Sequence, residues 1–138
     1  MGTMVAPISS LTAVANEFRE ELAITKRVLD RVPGDKLAWK PHEKSMSLGQ
    51  LAWHVATVPG GLGHILQQDS FDVTQGSFVP PCPKTLEEVL AAFDQSARDG
   101  EQFLNGLSEE KASANWHLME SHRSYFRGRA SRSCAPSC

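Results

Sequence analysis

The stretch Ser47–Val58, which reads SLGQLAWHVATV, is the segment from which the fold of this chain is inferred. Ser47 and Gln50 have the spacing of a capping box, in which each side chain accepts a hydrogen bond from the backbone N–H of the other residue. The large apolar residues that follow recur at helical spacing: Leu48, Leu51, Val55, Val58, Leu62 and Ile65. We therefore expect an amphipathic helix that begins at Ser47 and buries this stripe.

His54 is the residue of this helix that bears most directly on function. It lies about 60–80° from the centre of the apolar stripe at 100° per residue, so its imidazole is predicted to point across a bundle core without reaching bulk water. Trp53 is predicted to point the other way, and with Trp39 it is a candidate pocket residue. Two interpretations of His54 stay open, a half-buried core histidine with a hydrogen-bond partner and a ligand of a metal ion.

Three long amphipathic helices are predicted in all. The first covers about residues 9–32 and ends at Pro33-Gly34, and the second covers about residues 47–68. Pro59 lies inside the second helix and predicts a kink there. The third covers about residues 85–107, with Gly100 as its weak point, and begins with a second capping box, Thr85 to Glu88.

The remaining aromatic and histidine candidates lie around these helices. Trp39, in the connection between the first two helices, is predicted to cover the bundle end, or alternatively to form a wall of a substrate pocket. His42 is expected to be exposed and not a ligand. His64 follows His54 by ten residues, about 15 Å along a helix, so the two cannot share one ion.

Composition limits the possible classes of protein. A chain of 138 residues with a net charge of −2 is long enough for one domain with a core and has no basic surplus for nucleic acid. No apolar run is long enough to cross a membrane. Cys82, Cys134 and Cys138 do not make a disulfide framework, so a reducing cytoplasm is expected. Residues 1–122 are predicted to form one helical domain, followed by a disordered Arg/Ser/Cys-rich tail at 123–138.

Two segments together carry a resemblance to a known family. They are residues 29–41, LDRVPGDKLAWKP, and residues 45–56, SMSLGQLAWHVA. In order and spacing they resemble the DinB/YfiT-like family of metalloenzymes, over about residues 9–107. The resemblance implies an all-α, up-down-down-up four-helix bundle. It also implies a divalent metal, nickel or zinc, held by three histidines, of which the second-helix histidine corresponds to His54.

The chain departs from the family pattern at the other two ligands, which form a His-x-x-x-His pair on the fourth helix. The sequence contains no such pair. His117 and His122 are the remaining candidates, but they are five residues apart and would point about 140° apart on a helix. The fourth helix is therefore expected to be incomplete or missing. The composition of the tail suggests a truncated or frameshifted end, which the other reading frames of the encoding DNA would test.

Two functions follow as hypotheses. The first is a bundle with an incomplete divalent-metal site that acts on a small molecule, where the resemblance implies thiol-transferase or hydrolytic chemistry. The alternative is a non-catalytic helical module that forms a homodimer, with Trp53 in the interface. Nucleic-acid binding through the arginine-rich tail is disfavoured by the near-neutral charge. A serine hydrolase and a phosphate-loop protein are disfavoured because the sequence lacks their motifs.

Overall fold

Three long helices form the body of the computed structural model, which describes residues 9–75, 79–120 and 123–127. They are α1 (Ser10–Leu29), α2 (Leu48–Leu66) and α3 (Leu86–Asn105). Short elements complete these described ranges: 3₁₀ turns at Gly34–Lys36 and Val73–Gln75, the single-turn helix α4 (Glu109–Ala112), and the strands β1 (Ser70–Asp72), β2 (His117–Glu120) and β3 (Arg123–Arg127). The predicted all-α class is confirmed. In the part of the chain that is described, one turn, α4, follows the three long helices.

The helices begin where the sequence places their capping residues. At α2 both bonds of the capping box are present: Gln50 N donates to Ser47 Oγ at 3.1 Å, and Ser47 N donates to Gln50 Oε1 at 2.9 Å. At α3, Glu88 N donates to Thr85 Oγ1, but the Glu88 carboxylate accepts from Lys84 N instead of closing the box. Satisfying these N–H groups fixes the first turn of each helix.

The core lies mainly between α2 and α3. Its buried members are Leu29, Ala52, Ala56, Val89 and Phe93. The side of α2 that faces α3 therefore carries small residues, and Gly60 and Gly63 extend the same side. A Cβ atom added to Gly60 would lie 3.0 Å from the Ser96 Cα, so the backbones of α2 and α3 approach as closely as glycine allows.

The prediction that the large apolar residues of α2 form its buried face is therefore wrong. Leu51 and Leu62 are 50% and 51% exposed, and Val55 and Val58 are exposed as well. The large side chains point away from α3 because close packing of two backbones requires glycine and alanine between them. Trp53 was expected to point outward, but it is partly buried and packs against the core.

In the connection between α1 and α2 the buried side chain is Leu37, not the predicted Trp39. Leu37 is buried, and its carbonyl accepts from Gly49 N at 2.8 Å. Trp39 is 57% exposed, so it does not cover the bundle end. Its carbonyl accepts from Leu48 N at 2.9 Å, which places the backbone of the connection across the start of α2.

Two positions predicted to interrupt helices do not end them. α2 continues through Pro59. α3 continues through Gly100, which is buried where the three helices meet: an added Cβ would lie 2.6 Å from Phe18 Cζ on α1 and 3.2 Å from the Pro59 carbonyl oxygen on α2. Gly100 is therefore a packing requirement rather than a weak point of the helix.

A small sheet follows the bundle and was not predicted. Its strand order is β1-β2-β3, with β1 parallel to β2 and β2 antiparallel to β3. The Trp116 indole N–H donates to the Gln68 carbonyl at 2.8 Å, which ties β2 to the end of α2. The backbone of residues 123–127 forms β3, so this part of the expected disordered tail is ordered. Cys134 and Cys138 lie outside the described residues, and the domain boundary at 122 stays a prediction.

Candidate functional site

His54 opens into a groove of about 440 Å³ on the side of α2 that faces away from α3. One wall is α2 itself, through Trp53, Val58 and Leu62. The other wall is the extended segment 79–81, Val79-Pro80-Pro81. His54 is exposed, so the prediction that it is screened from water inside a core is wrong, because the large-residue side of α2 faces outward.

The capping box of α2 also holds the second wall of the groove. Gln50 uses its Oε1 to accept from Ser47 N, and its Nε2 donates to the Pro80 carbonyl at 3.1 Å. Next along the chain, Cys82 Sγ lies 3.5 Å from Ser47 Oγ, and Pro83 is buried. The residues that start the helix therefore also fix the position of the proline segment beside it.

The groove is apolar apart from two side chains. His54 supplies an imidazole and Thr57 supplies a hydroxyl group. The Thr57 hydroxyl donates its proton to the Trp53 carbonyl at 2.9 Å, so toward a ligand its oxygen can act only as an acceptor. α2 contains no Asp, Glu, Lys or Arg, which leaves His54 as the titratable side chain of this wall. Such a surface suits an uncharged, largely apolar ligand that meets one imidazole.

The other histidines lie away from this groove. His42 is exposed, as predicted, and its Nδ1 accepts from Lys44 N. His64 is on α2 but faces a separate recess with Ser96 and Asp99, where its Nε2 lies 3.9 Å from Asp99 Oδ2. His117 is half-buried in β2, beside β1 and β3. His122 lies outside the described residues.

These positions do not form the three-histidine site that the resemblance implies. Within the described ranges, no three His, Cys, Asp or Glu side chains are close enough together to hold one metal ion. His54 is thus a single donor in an apolar groove, whereas a tetrahedral or facial-triad site needs three protein ligands. The described residues therefore do not bring together the three ligands of such a centre.

Sequence reasoning did not identify the proline wall of the groove. The run from Val79 to Pro83 does carry a signal, since prolines are stiff and extended and suit a static wall. Gln50 was assigned to the cap alone, although its amide has a donor left over for Pro80. Trp39, one of the two predicted pocket residues, does not line this groove, while Trp53 does.

The comparisons with known proteins give the family. No helix within the described ranges combines the length and apolar character needed to span a membrane. No curated protein and no solved structure is similar enough to be matched with this chain. The sequence profile described as the DinB superfamily matches residues 17–124, which include all three long helices except the first residues of α1. The chain belongs to the DinB superfamily.

Proposed function

We propose that this DinB-type bundle binds a small molecule in the groove beside His54. The observation that supports the proposal most is the groove itself, about 440 Å³ in volume and bounded by two walls that Gln50 connects. Cavities of roughly 300–1,000 Å³ with apolar walls and few polar groups are typical of small-molecule sites. His54 is the side chain that would orient the ligand or exchange a proton with it.

His54 is also the proposed ligand for a divalent metal, nickel or zinc. When bound in such a site, the metal supplies Lewis acidity for thiol-transfer or hydrolytic chemistry. The described residues offer only this one donor, so the remaining ligands would come from elsewhere. His122 lies outside the described ranges, and a second subunit is the other source. His117 is the weaker candidate, because β2 holds it between two strands.

A metal titration tests this part of the proposal. Nickel and zinc binding are measured by calorimetry for the wild type, for His54→Ala and for His64→Ala. His64 is the matched control, since it is an exposed histidine on the same helix outside the groove. Binding that is lost only in His54→Ala supports a metal at His54. Equal binding in all three proteins, or none in any, removes the metal.

The small-molecule site is tested without metal. Aromatic fragments are added to the metal-free protein, and methyl resonances of Leu62 and Ile65, which line the groove, report on it by NMR. Fragments are expected to shift these resonances in the wild type. Val58→Trp, which fills the groove from an exposed position, should abolish the shifts without unfolding the protein. Shifts that persist unchanged in that variant would place the fragments elsewhere.

A helical dimerisation module is the second candidate function. Its support is the number of large apolar side chains exposed on two helices. On α1 they are Val14, Ile24 and Val28, and on α2 they are Leu51, Val55, Val58, Leu62 and Leu66. Exposed apolar surface of this kind commonly marks an interface. Trp53, the residue expected in this interface, is half-buried and packs partly against the core. The proposed location is the cytoplasm, because the cysteines suit a reducing compartment.

A further inference from the structure

We propose that two copies of the chain pair through the outward face of α1, antiparallel to each other about a two-fold axis close to Ile24. The outward face of α1 is defined by Glu17, Glu20, Ile24 and Arg27 of the helix and by Arg31 in the turn that follows it. The proposal rests on the dimerisation candidate above and assigns its interface. It does not depend on the groove beside His54, which lies on α2.

Apart from the exposed Glu21, the charges of α1 fall into two groups. Those directed at α3 are paired: Arg19 Nε lies 2.8 Å from Glu101 Oε1, and Lys26 Nζ lies 2.8 Å from Asp94 Oδ1. The charges of the outward face are exposed. Within the described part of the chain, none of these outward charges takes part in an ion pair.

The outward charges are separated by sign along the helix. Glu17 and Glu20 precede Ile24, and Arg27 and Arg31 follow it. Like charges therefore lie close together within one copy, which is mildly destabilising. The helix dipole does not account for the acidic group, because the first turn of α1 contains no acidic residue and the dipole acts over about one turn.

An antiparallel second copy places opposite charges face to face. Arg31 lies in the turn after α1, in the same depression as Ile24 and Arg27, so Glu17 of the second copy, seven residues before Ile24, approaches it across the two-fold axis. Glu20 and Arg27 lie on the same flank of α1, about 40° and 60° from Ile24 at 100° per residue. Reversing the second helix therefore brings Glu20 opposite Arg27 of the second copy. The symmetry doubles each pair.

The centre of the face is apolar and shaped to receive a side chain. Ile24 and Val28 are 44% and 60% exposed. With Arg27 and Arg31 they line a depression of about 340 Å³ on α1. Ile24 of the second copy would enter this depression, since it lies near the axis. The apolar contact supplies affinity, and the flanking charges supply register and orientation. The contact extends over roughly 18 Å of helix from Glu17 to Leu29 and continues into the turn at Arg31.

Charge reversal tests the pairing without changing the core. The acidic variant is Arg27→Glu with Arg31→Glu, and the basic variant is Glu17→Lys with Glu20→Lys. Each makes the outward face of α1 a single sign, so each homodimer should weaken at least tenfold. An equimolar mixture of the two variants should recover dimers. The control, Lys36→Glu with Lys40→Glu, changes the net charge as the acidic variant does but lies outside α1.

Sedimentation velocity over a range of concentrations measures the dimer, and circular dichroism checks that each variant folds. A wild type that stays monomeric overturns the proposal together with the dimerisation candidate. A wild-type dimer that both charge variants match overturns only the α1 interface and leaves dimerisation standing. If the variants are monomeric and their mixture stays monomeric too, charge pairing through this face is overturned. The His54 titration above is unaffected by any of these outcomes.

Discussion

The backbone N–H of Gly60 donates to the hydroxyl oxygen of Ser96 at 2.7 Å, in a buried position between α2 and α3. Gly60 follows Pro59, the proline inside α2. The bond joins two helices directly from backbone to side chain, which is possible because Gly60 has no Cβ to keep Ser96 at a distance. Ser96 is thus a buried polar residue with a defined partner.

Ser96→Ala should destabilise the protein by about 0.5–1.5 kcal/mol, because it removes a buried hydrogen bond between α2 and α3. Ser113→Ala is the control, since Ser113 is exposed at the end of α4. Urea unfolding followed by circular dichroism measures both. Equal stability of the Ser96 variant and the control would mean that water replaces the hydroxyl group.

Gly100→Ala and Gly61→Ala form a matched pair with opposite expected signs. An added Cβ at Gly100 meets Phe18 and the Pro59 carbonyl, so overpacking of about 1–3 kcal/mol should exceed the helix-propensity gain of about 1 kcal/mol. Gly61 has no neighbour within 4 Å of the added atom, so its variant should be more stable. Thermal unfolding of the wild type and both variants measures these changes in stability. A stabilised Gly100 variant would contradict the three-helix contact.

Leu29→Ala and Leu62→Ala test which leucines the bundle buries. Leu29 is fully buried, and its loss should cost about 2–5 kcal/mol. Leu62 is half-exposed on the large-residue side of α2, so its loss should cost about 1 kcal/mol or less. Chemical denaturation at low protein concentration gives both values. A Leu62 cost as large as that of Leu29 would show that another segment covers this side of α2.

Features set by neighbouring residues could be predicted from the sequence, whereas features set by packing between helices could not. The start of a helix depends on nearby residues such as Ser47 and Gln50, so it could be predicted from the sequence. The buried face of α2 depends on which partner comes close. A large-residue stripe normally faces the core, but the spacing of Ala52, Ala56 and Gly60 every four residues permits closer packing on the other side. This spacing of small residues is present in the sequence, and it determines which side of α2 is buried.

The sheet and the groove were harder to infer for a different reason. β1 contains three residues and pairs with a strand more than forty positions later, so no local periodicity announces it. The environment of His54 follows from the side on which α2 packs. Because the small residues of α2 are buried and the large ones are not, His54 is exposed and not screened from water.

The ion pair of Lys26 with Asp94 should make stability depend on pH in the alkaline range. The hydrogen bond to the Asp94 carboxylate raises the pKa of Lys26 above its ordinary value of 10.5. The folded state therefore holds this proton more tightly than the unfolded state. The resulting stabilisation is complete below pH 10.5 and is lost as the pH rises through the folded-state pKa.

Lys26→Gln should remove this part of the alkaline loss of stability, and Lys36→Gln should not. The effect is small, because both side chains of the pair are nearly half-exposed. Unfolding free energies measured from pH 9 to pH 12 give the two slopes. If the wild type and the Lys26 variant lose stability in parallel, the ion pair does not form in solution.

Gln50→Ala should release the proline wall from α2 while leaving the helix in place. The substitution removes the acceptor for Ser47 N and the donor to the Pro80 carbonyl, but Ser47 still caps the Gln50 N–H. NMR order parameters of the Val79 methyl groups measure the loosening, and the NMR fragment shifts described above measure its effect on the groove. Lower order parameters with weaker fragment binding are expected, because the second wall would no longer be held. Gln95→Ala, on the exposed side of α3, should change neither. Fragment binding that survives the release of Val79 would show that α2 alone forms the site.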